Sequence, residues 1–86
     1  MNPLDELIND RKKYGKVLCY VTEGLRAYVV VEFENAVRIE EWALVFCTKG
    51  KTSTSKYVLV EYVELSKKAL EELTTALMVA LALRSS

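Results

Sequence analysis

The sequence predicts an α+β fold: a short N-terminal helix, a four-stranded antiparallel meander and a long C-terminal helix packed on one face of the sheet. Between residues 16 and 64 apolar residues tend to recur at every second position, which is the period of strands. The flanking segments, 1–15 and 65–86, have capping residues and helical composition. Short links between the strand-like runs favour antiparallel neighbours. We expect the 86 residues to form a single domain.

The composition is typical of a globular protein, with 51% hydrophobic and 28% charged residues. Twelve basic and twelve acidic residues cancel, so the overall charge indicates no particular partner. No run approaches the ~20 consecutive apolar residues that span a bilayer, and the acidic start of the chain is unlike a signal peptide. These features predict a soluble, cytoplasmic protein that binds no membrane.

The first segment has the signals of a short helix over residues 3–13. Asn2 can cap the helix, and Pro3 fits its first turn without losing a needed donor. Gly15 then ends it. The apolar face of this helix is narrow, so we expect it to dock weakly.

Four runs rich in β-branched and aromatic residues predict strands at 16–22, 25–33, 37–48 and 56–64. The link at Glu23-Gly24 is typical of a tight hairpin, and the link at Glu34-Asn35 is about as short. The third link, residues 49–55, is polar and basic, and it is predicted to be a mobile loop.

Alternation along each strand assigns side chains to two faces. The set expected beneath the C-terminal helix is Val17, Cys19, Val21, Leu25, Ala27, Val29, Val31, Phe33, Val37, Ile39, Ala43, Val45, Cys47, Val58, Val60 and Tyr62. Glu41 interrupts this set, so either it lies at a solvated end or a bulge near Glu40-Glu41 switches the faces. The strand without a bulge is favoured, and it places Trp42 on the uncovered face.

On this assignment the uncovered face combines aromatic and basic side chains. Its members, with two lysines of the third link at the rim, are Lys16, Tyr20, Arg26, Tyr28, Arg38, Trp42, Lys49 and Lys51. Planar rings stack on unpaired bases and cations contact phosphates, so the pattern indicates single-stranded nucleic acid as a partner. The alternative is that the same rings form a second core, buried when two sheets pack together in an oligomer.

The C-terminal segment, Leu65–Ser86, predicts a helix capped by Ser66. After Thr75 it is apolar almost all the way round, which one sheet face cannot bury. The second apolar surface therefore predicts a homo-oligomer, a dimer or a tetramer. The predicted interface consists of Leu70, Leu73, Leu77, Met78, Ala80 and Leu81.

The chemistry of an enzyme is not indicated. The chain has no histidine, the commonest general base and zinc ligand. Gly50-Lys51-Thr52 matches only the tail of a phosphate-binding loop, since Val45 stands where its first glycine belongs. Cys19 and Cys47 lack metal-ligand spacing and are expected to be buried thiols, with their redox state left open. We predict no catalytic residue, no cofactor and no metal.

The layout resembles a known family. The run Lys16-Val17-Leu18-Cys19-Tyr20-Val21 as first strand, the meander with a polar third link, and a terminal helix with Leu70, Leu73 and Leu77 are similar to the ThermoDBP family of archaeal single-stranded DNA-binding proteins and its shorter relatives. The layout also resembles whirly-type and transcriptional-coactivator domains. The resemblance spans residues 15 to 83. It implies a dimer formed through the helix and a sheet that binds DNA, more than RNA, at Tyr20, Arg26, Tyr28, Arg38 and Trp42. A structural or protein-interaction module that uses both faces for self-assembly is the alternative.

Overall fold

A four-stranded antiparallel sheet in the order β1-β2-β3-β4 forms the centre of the structure, a computed structural model that describes residues 2–85. The elements are α1 (Pro3–Lys12), β1 (Lys16–Glu23), β2 (Arg26–Glu32), β3 (Ala36–Lys49), β4 (Thr52–Ser66) and α2 (Lys67–Ser85). The predicted α+β class, the predicted order of elements and the packing of the C-terminal helix on the sheet, through contacts with β3 and β4, are confirmed. Met1 and Ser86, the outer ends of the first and last predicted segments, lie outside the described residues.

Helix α1 begins as its sequence predicts. Asn2 has an extended backbone, and its side-chain oxygen accepts a hydrogen bond from the Asp5 backbone N–H at 2.8 Å. This contact pairs one of the first N–H groups, which have no partner inside the helix. Arg11 and Lys12 lie in the last turn, where cations suit the negative end of the helix dipole.

The core lies between α1 and one face of the sheet, which we call the covered face. Leu7 and Ile8 of α1 are buried against Ala27, Val29 and Val31 of β2. Partly buried side chains extend this cluster on all sides, namely Leu4, Val17, Phe33, Trp42 and Tyr57. Helix α1, which the sequence predicted to dock weakly, is therefore the helix that covers the sheet. We call the opposite side the open face.

Helix α2 contacts β3 and β4, and no residue between Lys67 and Ser85 is buried. Its start is capped by Ser66, whose hydroxyl accepts from the Ala69 N–H at 3.0 Å. An ion pair of 3.7 Å joins Lys67 to Glu32 at the same end of the sheet. Most of α2 therefore lies beyond the layer that α1 and the sheet form.

The third link differs from its prediction. Residues 52–55 belong to β4, and the turn is only Gly50-Lys51, with Gly50 at a φ of +64°. The predicted loop over 49–55 is wrong in extent because the two threonines in it favour strands, and a glycine in the left-handed region closes a short hairpin. Beyond Leu44, β3 pairs only with β4. We call this two-stranded projection, residues 45–56, the ribbon.

Candidate functional site

The predicted nucleic-acid site is divided between the two faces of the sheet. Tyr20 pairs with Val29, Trp42 with Ala27, and Arg38 with Val31, and directly opposed residues point to the same side. Since these three β2 residues are buried under α1, Tyr20, Trp42 and Arg38 belong to the covered face.

The remaining strand residues of the predicted site lie on the open face. Arg26 and Tyr28 alternate with the buried β2 residues, and Lys16 pairs with Glu32 on the same side. Lys49 and Lys51 lie at the tip of the ribbon. The single platform expected from the sequence, with Tyr20, Tyr28 and Trp42 side by side, is therefore wrong.

Two irregularities explain part of the error. In β1 the pairing shifts between Val17 and Cys19, so Leu18 is the extra residue and Tyr20 moves to the covered face while Cys19 and Val21 move to the open face. In β4 the pairing shifts at Val60, because Glu41 opposes Glu61 and Trp42 opposes Leu59. Strand β3 itself alternates without interruption, so the favoured absence of a bulge within it holds and only its face was misassigned.

A buried carboxylate sets the face of β3. Glu40 is 0% exposed and receives two hydrogen bonds from Arg11 of α1, from Nε at 2.9 Å and from Nη2 at 2.8 Å. A bidentate guanidinium is the partner that can compensate a desolvated carboxylate. The pair places Glu40, and with it Trp42 and Arg38, beneath the helix.

Trp42 is held by this ion pair. Its Nε1 donates to Glu40 Oε1 at 3.2 Å, and the Arg11 guanidinium carbon lies 5.6 Å from the ring centroid. The indole therefore has a hydrogen-bond acceptor and a cation over its face, both supplied by the protein. These contacts make Trp42 part of the core and not a free stacking platform.

Arg38 is also engaged within the chain. Its guanidinium carbon stacks 3.7 Å from the Tyr62 ring centroid and 5.8 Å from that of Phe33. Its Nε lies 3.5 Å from Glu40 Oε2 but makes no hydrogen bond to any atom of residues 2–85. The two arginines and Glu40 thus form one charged cluster, and the Arg38 guanidinium is stacked on rings of the same chain.

The open face is apolar at its centre. One row of opposed residues crosses all four strands and contains Cys19, Val30, Ile39 and Val63. Val21 and Tyr28 lie in the next row, and Val21, Ile39 and Val63 are exposed. Arg26 on this face forms an ion pair with Glu41 at 3.1 Å. The open face therefore offers apolar surface with little unbalanced positive charge.

Both cysteines lie on the open side of the sheet and are exposed free thiols. The prediction that they are buried is wrong, because their face has no helix layer in the structure. Tyr20, by contrast, is 50% exposed at the margin of α1. It lines a cleft of about 390 Å³ between α1 and β1, together with Ile8, Asn9 and Lys12.

The predicted oligomer interface on α2 is exposed to solvent. Met78 is 66% exposed and Leu77 is 56% exposed, while Leu70 near the sheet is half-buried. Leu73, Val79, Leu81 and Leu83 are exposed as well. Because these residues surround the helix axis, the distal half of α2 has no polar side.

The ribbon collects basic charge. Residues 45–56 include Lys49, Lys51 and Lys56 and no acidic residue. Phe46 is 63% exposed on the ribbon, and the remaining positions are mostly Thr and Ser. Lys49 and Lys51 are thus the predicted site residues that lie on the ribbon, apart from those on the two faces of the sheet.

The sequence analysis did not predict the pairing of Arg11 with Glu40. A signal for Arg11 was present, since Leu4, Leu7, Ile8 and Arg11 follow the spacing of one helix face. An arginine on that face needs a buried anion, and Glu40 has the same strand parity as Trp42. The helix position of Arg11 and the strand position of Glu40 indicate an ion pair only when the two are considered together.

Comparison of the chain with protein-family models, curated proteins and solved structures gives no match. Across residues 2–85, no group of three or more His, Cys, Asp or Glu is placed to hold a metal ion. No described helix combines the length and apolar character that crossing a membrane requires. The fold and the surfaces above therefore define the class, an α+β domain with two exposed apolar surfaces and a basic ribbon.

Proposed function

We propose that the chain is a self-assembling interaction module and that the homodimer is its simplest form. One observation supports this above the others: the same chain exposes two apolar surfaces, the open face and the distal half of α2. Contiguous apolar patches of this kind on soluble proteins mark interaction sites. A closed symmetric assembly covers both surfaces in every copy.

The magnitudes favour association. Full burial of a large apolar side chain contributes about 1.5–3 kcal/mol, so finishing the burial of six half-exposed side chains on α2 contributes roughly 6 kcal/mol per helix. Two helices contribute about 12 kcal/mol, which is comparable to the roughly 4–15 kcal/mol that association costs, and the apolar surfaces they cover add to this contribution. The exposed free thiols of Cys19 and Cys47 fit the reducing conditions of the cytoplasm, where we place the module.

Sedimentation of the full chain tests this function. The wild-type protein should sediment as a dimer or a larger closed oligomer, and Leu77→Glu with Met78→Glu should sediment as a monomer, because both charges would be buried at the interface. The matched control, Thr48→Glu with Lys13→Gln, changes the net charge by the same amount at exposed positions outside α2. A wild-type monomer at all concentrations would overturn the proposal.

A second candidate function is binding of single-stranded nucleic acid, DNA more than RNA, as the resemblance to the ThermoDBP family implies. The observation that favours it is the ribbon, where Lys49, Lys51 and Lys56 lie in a segment without acidic residues and the Phe46 ring is exposed on the opposite side of the same two strands from Lys49 and Lys56. Lysines contact phosphates and an exposed ring stacks on a base. The site is therefore moved from the sheet face to the ribbon.

Anisotropy of a labelled oligothymidylate at several salt concentrations tests the second function. Three phosphate contacts on a single strand give a slope of log affinity against log salt of about −2. Changing Lys49, Lys51 and Lys56 to Gln should abolish the salt-dependent binding. The control removes the same charge elsewhere, at Lys12, Lys13 and Lys68. Equal losses in both variants, or no binding by wild type, would reject the ribbon as the site.

A further inference from the structure

We infer that two copies exchange their C-terminal helices, so that α2 of each copy lies across the open face of the other. This inference rests on the proposed self-assembly and specifies its geometry. It commits the open face to one occupant, the α2 helix of a second copy. The alternative within self-assembly is that two α2 helices pair with each other and leave both open faces bare.

The junction between β4 and α2 has no loop that would turn α2 back over its own sheet. Ser66 is both the last residue of β4 and the residue whose side chain caps α2, so no loop separates the two elements. Helix and strand connections that reverse direction usually need about 2–6 residues. Helix α2 starts without them, contacts β3 and β4, and has no buried residue between Lys67 and Ser85.

Two contacts hold this junction in place. The Lys67 backbone N–H donates to the Asn35 carbonyl at 3.4 Å, and the Lys67 ammonium lies 3.7 Å from Glu32. Both attach the first turn of α2 to the end of the sheet where β2 turns into β3. The remaining turns project away, which explains why no described residue of α2 is buried although the helix is apolar.

The two unpartnered surfaces match in length. With 19 residues, α2 is about 28 Å long. Val37 is already buried, so the free open side of β3 runs from Ile39 to Cys47 at the base of the ribbon, eight residue steps or about 26 Å. A helix of this length therefore crosses most of the open face, and the two-layer unit of α1 and sheet gains a third layer.

The surfaces also match in polarity. Thr74 to Leu83 contains no charged residue, and the central row of the open face, with Cys19, Val30, Ile39 and Val63, contains none either. The neighbouring row contains two glutamates, Glu41, which is paired with Arg26, and Glu61, which opposes Glu41 and is exposed. The apolar part of the helix therefore matches the central row, and Glu61 must stay at the margin of the contact with access to water.

The area favours exchange over pairing of the helices alone. A helix of that length and about 10 Å width has a footprint of roughly 280 Å², so two helices on two sheets cover roughly 1,100 Å² when both sides are counted. Accessible area exceeds footprint, which brings the contact into the 1,200–2,000 Å² range of stable interfaces. One pair of α2 helices covers about half as much.

The reactivity of Cys19 tests the inference, because this thiol lies in the row that α2 should cover. In Cys47→Ser, where Cys19 is the remaining thiol, maleimide labelling should be about tenfold slower in the oligomer than in the same protein with Leu77→Glu and Met78→Glu. The matched control is Thr48→Glu with Lys13→Gln in the Cys47→Ser background. It should stay oligomeric and keep Cys19 protected.

Cross-linking gives a second readout. Met78→Cys combined with Cys47→Ser should yield a covalent dimer with a short bismaleimide, through the thiol at position 78 of one copy and Cys19 of the other. Adding Cys19→Ser should abolish this product. A dimer that still cross-links through position 78 alone, with Cys19 freely reactive, would overturn the exchange while leaving self-assembly standing. A monomeric wild type would instead overturn self-assembly itself.

Discussion

The guanidinium of Arg11 and the carboxylate of Glu40 form a bidentate ion pair, with N–O distances of 2.9 and 2.8 Å, between residues 29 positions apart in the sequence. The pair lies between α1 and the sheet, where Glu40 is fully buried. It joins the first helix to the third strand and aligns Trp42 through its Nε1 hydrogen bond. A short helix with a narrow apolar face is thereby fixed as the cover of the core.

Removing one partner of this pair should be costly. Arg11→Leu leaves the Glu40 carboxylate buried with Arg38 as its remaining cation and Trp42 as its remaining hydrogen-bond donor, and breaking a buried pair costs about 3–5 kcal/mol. Arg11→Lys keeps the charge but loses the bidentate geometry, so its cost should be smaller. Urea denaturation followed by circular dichroism measures both free energies of unfolding.

The double variant Arg11→Leu, Glu40→Leu supplies the control for that prediction. Because it removes both charges, it should be more stable than Arg11→Leu alone. The contrary outcome is additivity: the double variant loses as much free energy of unfolding as Arg11→Leu and Glu40→Leu lose together. The two residues would then not interact as a pair, and Glu40 would not be buried as described.

Trp42 and Tyr20 were both expected to stack bases, but in the structure they should contribute differently to the free energy of unfolding. Trp42→Ala should lower the free energy of unfolding by about 3 kcal/mol, since it removes a core ring and leaves a cavity. Tyr20→Ala, at a half-exposed ring, should cost less than about 1 kcal/mol. Circular dichroism must follow both transitions because Trp42 is the only tryptophan. Equal costs would contradict the placement of Trp42 in the core.

Local signals made much of the fold predictable. Asn2 and Ser66 cap their helices as expected, and Gly24, with a φ of +58°, closes the first hairpin. Each of these features depends on residues within a few positions in sequence. The order of elements and the antiparallel sheet follow from such signals.

The face of β3 was not predictable in the same way. Periodicity treats a glutamate as a solvent residue, and here Glu40 is buried because Arg11, in a different element, compensates its charge. The position of α2 was misleading for a related reason. Its apolar residues predict that the helix is buried. No loop follows Ser66, however, and no residue of α2 between Lys67 and Ser85 is buried in its own chain. Both outcomes depend on contacts between distant segments.

Gly15 should be intolerant of a side chain. A Cβ at this position would lie 2.7 Å from the Glu32 carbonyl oxygen and 2.9 Å from Val31 Cγ1, where α1 passes into β1. Gly15→Ala must displace backbone of β2, so it should cost about 1–3 kcal/mol. Gly24→Asn is the control, because a Cβ there meets no atom of the described residues within 4 Å and Asn tolerates a positive φ. Urea denaturation of the two variants should rank Gly15→Ala as the less stable.

Thermal stability should depend on protein concentration. If folding and assembly are linked, a tenfold increase in concentration stabilises the dimer by about 1.4 kcal/mol and raises Tm by roughly 4 °C for two chains of this size. The variant Leu77→Glu, Met78→Glu should melt at a lower temperature that is independent of concentration, since its α2 remains solvated. The control Thr48→Glu, Lys13→Gln should keep the dependence of the wild type. The prediction fails if the Tm of the wild type stays constant over a hundredfold dilution within the range where the protein is assembled. In that case, contact between α2 and the open face of another copy does not stabilise the fold.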